Sequence, residues 1–93
     1  MEEALLKVCE NKNLIVRKMK IRNGFRGILK GNKIAISDKL TDEQALETLC
    51  HEIAHFYLHY DKGNTTESPL HDAYEEQADR AAQLVLDILK AFN

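Results

Sequence analysis

Apolar and polar residues change their rhythm twice along this chain. Leu14 to Arg22, Phe25 to Lys30 and Lys33 to Ser37 are short runs rich in Ile, Val, Leu and Phe, and such runs predict three strands. The dipeptides Asn23-Gly24 and Gly31-Asn32 separate them, which predicts two-residue hairpin turns of the primed types. The expected sheet is a three-stranded antiparallel meander. Ahead of it, Leu5, Leu6 and Cys9 predict a short helix from Glu2 to about Glu10. Behind it the apolar period lengthens to three and four. Leu46, Leu49, Cys50, Ile53 and Tyr57 trace the buried stripe of one helix, and Tyr74, Ala78, Ala81, Val85, Ile88 and Phe92 trace that of another.

The ends of these helices carry their own signals. Thr41-Asp42-Glu43-Gln44 reads as a capping box, with Thr41 as N-cap and Gln44 reaching back. Gly63, after Asp61-Lys62, is the expected stop. Ser68-Pro69 predicts the next start, and Asp72 followed by Glu75 is a competing start one turn later. The predicted class is α+β: an N-terminal helix, the sheet, and two helices. At 93 residues one domain spanning 1–93 is expected, burying about 60–65 % of its unfolded surface.

Within the first of those two helices stands His51-Glu52-Ile53-Ala54-His55, an H-E-x-x-H signature. Residues four apart on a helix lie about 40° from each other around the axis. The two imidazoles therefore share a face and can reach one tetrahedral zinc, with Glu52 placed to act on a water there. The plainer alternative is a pair of surface histidines on an amphipathic helix. A third ligand is available at the start of the last helix, where Glu75 and Asp79 are four apart and share a face. One can ligate while the other accepts a hydrogen bond from the far nitrogen of a ligand histidine. Glu76 is a rival to Glu75, but it points about 100° away, and only Glu75 pairs with Asp79 at helical spacing. Two histidines and one carboxylate with an open position form a catalytic rather than a structural set.

The stretch H-E-I-A-H-F-Y-L-H followed by E-E-Q-A-D resembles the ImmA/IrrE metallopeptidase family, a compact branch of the gluzincins. The likeness covers roughly Phe25 to Leu86. It implies a minimal zincin-like core in which one zinc per chain is held by His51, His55 and Glu75. Glu52 would be the general base, and Asp79 would orient a ligand histidine. It also implies that Asn32 to Ser37 is an edge strand leading into the active-site helix, with Ile34 to Ser37 pairing to an extended substrate. The chain departs from the family pattern at Ala81, where many relatives carry Phe. It departs again at Leu84-Val85-Leu86-Asp87, where a Leu-Leu-Met-Pro-like segment is usual.

Other titratable groups have weaker claims. His59 extends the i, i+4 series but lies a turn too far to replace a ligand, and is read as packed or capping. His71 and Tyr74, just before Glu75, are candidates for oxyanion or substrate contacts. Cys9 and Cys50 lack a placed base and are read as reduced, buried thiols.

Charge is split along the sequence. Residues 1–40 carry ten Lys/Arg and four acids, a balance of +6, whereas residues 41–93 carry three and eleven, a balance of −8. The plainer reading of the basic half is the solvated face of a half-exposed sheet; the functional alternative is a surface that attracts nucleic acid or an acidic partner. The net charge of −2 and the absence of interleaved aromatics argue against a dedicated nucleic-acid binder. There is no targeting run and no apolar stretch near 18 residues, so a cytoplasmic protein without a membrane span is expected.

The expected function is zinc-dependent proteolysis of a protein or peptide substrate. The resemblance implies narrow regulatory cleavage, for example of a transcriptional repressor. Two alternatives stand beside it: a non-catalytic zinc-binding module acting through the basic sheet, and a latent peptidase that needs a partner.

Overall fold

The structure, a computed structural model, describes residues 3–22, 24–59 and 71–92, with the backbone alone at 59 and 71. Its elements in order are α1 (Glu3–Asn11), β1 (Ile15–Met19), β2 (Gly27–Lys30), β3 (Lys33–Ser37), α2 (Asp42–His59) and α3 (His71–Ala91). The class is α+β. The expected stop at Gly63 and start at Ser68-Pro69 fall outside the described residues.

The sheet is mixed, and this corrects the expected antiparallel meander. Strand order is β1-β3-β2. β2 and β3 form the anticipated antiparallel hairpin, with Lys30 opposite Lys33 across a two-residue turn. Gly31 supplies the positive φ of 61° that the first position of a type II′ turn requires. β1, however, runs parallel to β3, from Ile15 opposite Lys33 to Met19 opposite Ser37. The segment around Gly24 is thus no hairpin turn. It carries the chain past the end of β3 to its far side. The reason lies in burial: Ile34 and Ile36 are almost wholly buried, and the central strand is the place where such a run is covered. β1 with Arg17 and Lys18, and β2 with Lys30, carry the charges that suit edges. β3 is therefore central, and it has no free edge to offer a substrate.

Local signals explain how the elements are joined. α1 ends in a Schellman motif: Leu14 N–H donates to Cys9 C=O at 2.7 Å and Asn13 N–H to Glu10 C=O at 3.1 Å. Asn13 takes the left-handed conformation, φ 58°, and Leu14 and Cys9 are both buried. At α2 the capping box forms as read, with Thr41 N–H donating to Gln44 Oε1 at 3.1 Å and Gln44 N–H to Thr41 Oγ1 at 3.2 Å.

α2 lies between the sheet and α3, touching β2 and β3 on one side and α3 on the other. Leu49, Cys50 and Ile53 meet Ile34 and Ile36 in one core with Leu5, Cys9 and Leu14. Tyr57, expected in this stripe, is exposed instead, and the partly buried Phe56 packs against the core in its place. α3 is turned relative to its expected stripe. Ala78, Ala82 and Leu86 are buried, while Ile88 and Phe92 face outwards. Apolar residues occur almost all round this helix between 81 and 89, so periodicity alone does not fix its rotation. Packing of the small Ala78 and Ala82 lets α3 approach α2 closely, and that rotation brings Glu75 round to the same side.

Candidate metal centre

Three side chains from α2 and α3 converge on one point. His55 Nε2 lies 2.9 Å from Glu75 Oε1, and His51 Nε2 lies 3.1 Å from Glu75 Oε2. The two Nε2 atoms are 3.0 Å apart. A tetrahedral zinc with bonds of about 2.0–2.2 Å sets its donors about 3.3–3.5 Å apart, so these separations are only slightly tighter than a metal would hold them. The donor set is two imidazoles and one carboxylate, with no thiol. His51, His55 and Glu75 together could hold a metal ion. His55 is buried and His51 and Glu75 are half-buried, so among the described residues one side of the cluster is open.

The outer nitrogen of His51 is also engaged. His51 Nδ1 stands 2.8 Å from Asp79 Oδ1, so the Nδ1–H donates to that carboxylate and Nε2 keeps its lone pair. One helical turn separates Glu75 from Asp79, and that spacing lets α3 grip both nitrogens of a single ring. Glu76 points elsewhere. It accepts from Arg80 at 2.6 Å on the exposed side.

Glu52 lies in the same turn but is buried, 7 % exposed. Burial pushes its carboxyl up from an ordinary 4.5 to about 7; the nearby Glu75 carboxylate adds to the rise, and His51 opposes it. A carboxyl poised near neutrality can both take and return a proton.

One residue that shapes this site escaped the sequence reading. Gly27, on β2, faces α2 so closely that a Cβ there would sit 2.6 Å from Thr48 Cγ2 and 3.3 Å from Glu52 Cγ. The bare backbone of β2 thus lies against the stem of Glu52. A lone glycine inside an apolar strand run is the available signal, since it marks close approach of another chain segment.

The remaining candidates are placed as follows. Tyr74 is half-buried on α3, one residue ahead of Glu75. The side chains of His59 and His71 lie outside the described residues. Cys9 and Cys50 are free and buried. Burial, with Glu47 adding to it, pushes the Cys50 thiol up to about 11, and burial raises Cys9 as well, so both stay protonated and neither is available as a nucleophile. No helix among the described residues is long and apolar enough to cross a membrane.

The sequence matches the IrrE N-terminal-like domain of the peptidase M78 family over residues 11–87. Neither curated proteins nor solved structures gave a match. Because the matched span covers most of the chain and includes all of His51, Glu52, His55, Glu75 and Asp79, the chain belongs to the peptidase M78 family, in its IrrE N-terminal-like form.

Proposed function

We propose that the protein is a zinc-dependent metalloendopeptidase that performs narrow, regulatory cleavage of a protein substrate, a transcriptional repressor being one such target. The observation that carries this reading is the convergence of His51, His55 and Glu75 at 2.9–3.1 Å from one another. Two nitrogens and one oxygen with an open side favour zinc in a catalytic setting. When bound, the ion supplies Lewis-acid polarisation of the scissile carbonyl and brings water towards a pKa of about 7.

The chain's own residues do the rest. Asp79 holds the His51 ring so that Nε2 points inwards. Glu52, raised to about 7, takes a proton from the attacking water and passes it to the departing amine. No covalent intermediate is formed, because water is the attacking group, and the buried, protonated Cys9 and Cys50 are not placed as nucleophiles. An extended peptide pairs with the outer edge of β2, which no strand among the described residues occupies, and whose Gly27 lies against Glu52. That brings the peptide's backbone alongside the centre.

Elemental analysis and hydrolysis of a peptide library, in wild type and Glu52→Gln, test the reading. One zinc in both proteins, with cleavage by wild type alone, supports it. Zinc in both and cleavage by neither leaves a metal-stabilised binding module. Absence of metal after growth in zinc-supplemented medium removes the reading altogether.

A further inference from the structure

The face of the sheet turned away from α2 is uncovered among the described residues. Ile15, Met19 and Ile28 stand on it, 44 %, 45 % and 44 % exposed. They share a shallow depression of about 410 Å³ with Arg17, Lys30 and Lys33. None of the ion pairs among the described residues involves those three cations. Nor is there an acidic residue anywhere between 11 and 37. Two features mark this face as incomplete. Contiguous exposed aliphatics on a small protein indicate a contact surface. In addition, β1 and β3 pair side by side, and no element among the described residues covers this face of the pair.

We propose that this face docks an acidic, amphipathic helix of a partner protein. Its width fits. Three strands about 4.8 Å apart span roughly 10 Å, the diameter of one helix with its side chains. Its chemistry fits as well: an aliphatic strip takes the apolar side of the helix, and the unpaired cations meet carboxylates along its flanks. The other occupants fit less well. Nucleic acid would set phosphates against isoleucine and methionine, and no aromatic ring lines the depression to stack on a base. A second copy docked face to face would bring Arg17, Lys30 and Lys33 against their own kind. A lipid surface calls for protruding apolar groups, whereas these are half sunk in a depression. The face is turned away from α2, which carries His51, Glu52 and His55, so a docked helix does not cover those side chains.

The test is an NMR titration of the isotope-labelled full chain with a designed helical peptide of about 18 residues. The peptide carries leucines at helical spacing flanked by glutamates. Shift changes are expected at Ile15, Arg17, Met19, Ile28, Lys30 and Lys33. Lys30→Glu with Lys33→Glu should weaken binding by at least about tenfold, and Ile28→Ser should weaken it too, with melting curves unchanged. A peptide with lysines in place of glutamates should not bind. The proposal is overturned by silence at millimolar peptide, by shifts centred on α3, or by equal binding to the charge-reversed variant. It is overturned equally if the face prefers duplex DNA or phosphatidylglycerol vesicles, or if sedimentation shows self-association lost in Ile28→Ser.

Discussion

His51 is held at both ends by α3: its Nδ1 meets Asp79 Oδ1 at 2.8 Å while its Nε2 meets Glu75 Oε2 at 3.1 Å. The first contact sets the tautomer and the second joins the donor cluster. A carboxylate in the position of Asp79 usually raises ligand basicity and fixes the ring, and losing it weakens metal affinity about 10–100-fold. Asp79→Ala should therefore retain the fold but bind zinc that much more weakly in a competition assay with a chromophoric chelator. Asp79→Asn, which can still accept through its amide oxygen, should fall between the two. Unchanged affinity in Asp79→Ala would show that the contact orients nothing.

Gly27 makes a second, sharper demand. A methyl group at that position meets Thr48 Cγ2 at 2.6 Å, well inside the closest ordinary carbon contact, with backbone of Ala35 and the stem of Glu52 each at 3.3 Å. Gly27→Ala should cost about 1–3 kcal/mol by overpacking and shift Glu52, lowering any peptide hydrolysis while zinc binding persists. Thr48→Ser removes only the offending methyl and keeps the hydroxyl that donates to Gln44 C=O at 2.8 Å. The double variant should therefore recover most of the lost stability and rate. Failure of that rescue would place the strain elsewhere.

The contrast between Gly27 and the H-E-x-x-H helix shows what the sequence could reveal. His51, Glu52 and His55 are near neighbours in sequence, and the spacing of Glu75 and Asp79 places both on one face, so the helical period alone brings the right atoms to one side. The capping box at Thr41 and the turn at Gly31 were legible for the same reason: each is decided within four residues. The place of β1 was not, because pairing with β3 joins positions 18 apart in sequence by long-range contacts that no local pattern records. The clue that was available is comparative. β3 lacks a charged residue between Ile34 and Ser37, whereas β1 and β2 carry cations, and the least polar strand of three belongs in the middle. The rotation of α3 escaped for a different reason, since a helix apolar nearly all round can bury any face, and only packing against α2 selects Ala78, Ala82 and Leu86.

Burial of Glu52 gives a pH-dependent prediction for the metal-free protein. Its carboxyl is raised from 4.5 to about 7 in the fold, so the native state favours the neutral form. Below pH 4.5 the group is neutral folded or unfolded and costs nothing. Between 4.5 and 7 the unfolded chain gains by ionising and native stability falls; above about 7 the loss levels off. Glutamine mimics the neutral acid at every pH. Glu52→Gln should therefore match wild type near pH 4 and exceed it by about 3 kcal/mol at pH 8, from about 1.36 kcal/mol per pKa unit. Denaturant titrations of chelator-treated protein at the two pH values measure the difference. A stability gain equal at both would show that the ionised form is not penalised by the fold.

Metal should also act as a clamp between α2 and α3. His51 and His55 come from the first helix and Glu75 from the second, and no single segment of the unfolded chain presents all three. Zinc consequently binds the folded state in preference, and at about a thousandfold excess over its dissociation constant contributes roughly 4 kcal/mol. In a domain of this size each kcal/mol moves the melting temperature by about 4–8 °C. Adding zinc to chelator-treated protein should therefore raise it by some 15 °C or more. Glu75→Ala should lose most of that rise, because among the described residues it removes the only donor that α3 supplies to the cluster. Glu76→Ala, whose carboxylate faces Arg80 on the outside, should retain all of it. If the two variants respond alike to zinc, the ion is held without α3, and the geometry that unites the two helices is not a metal centre.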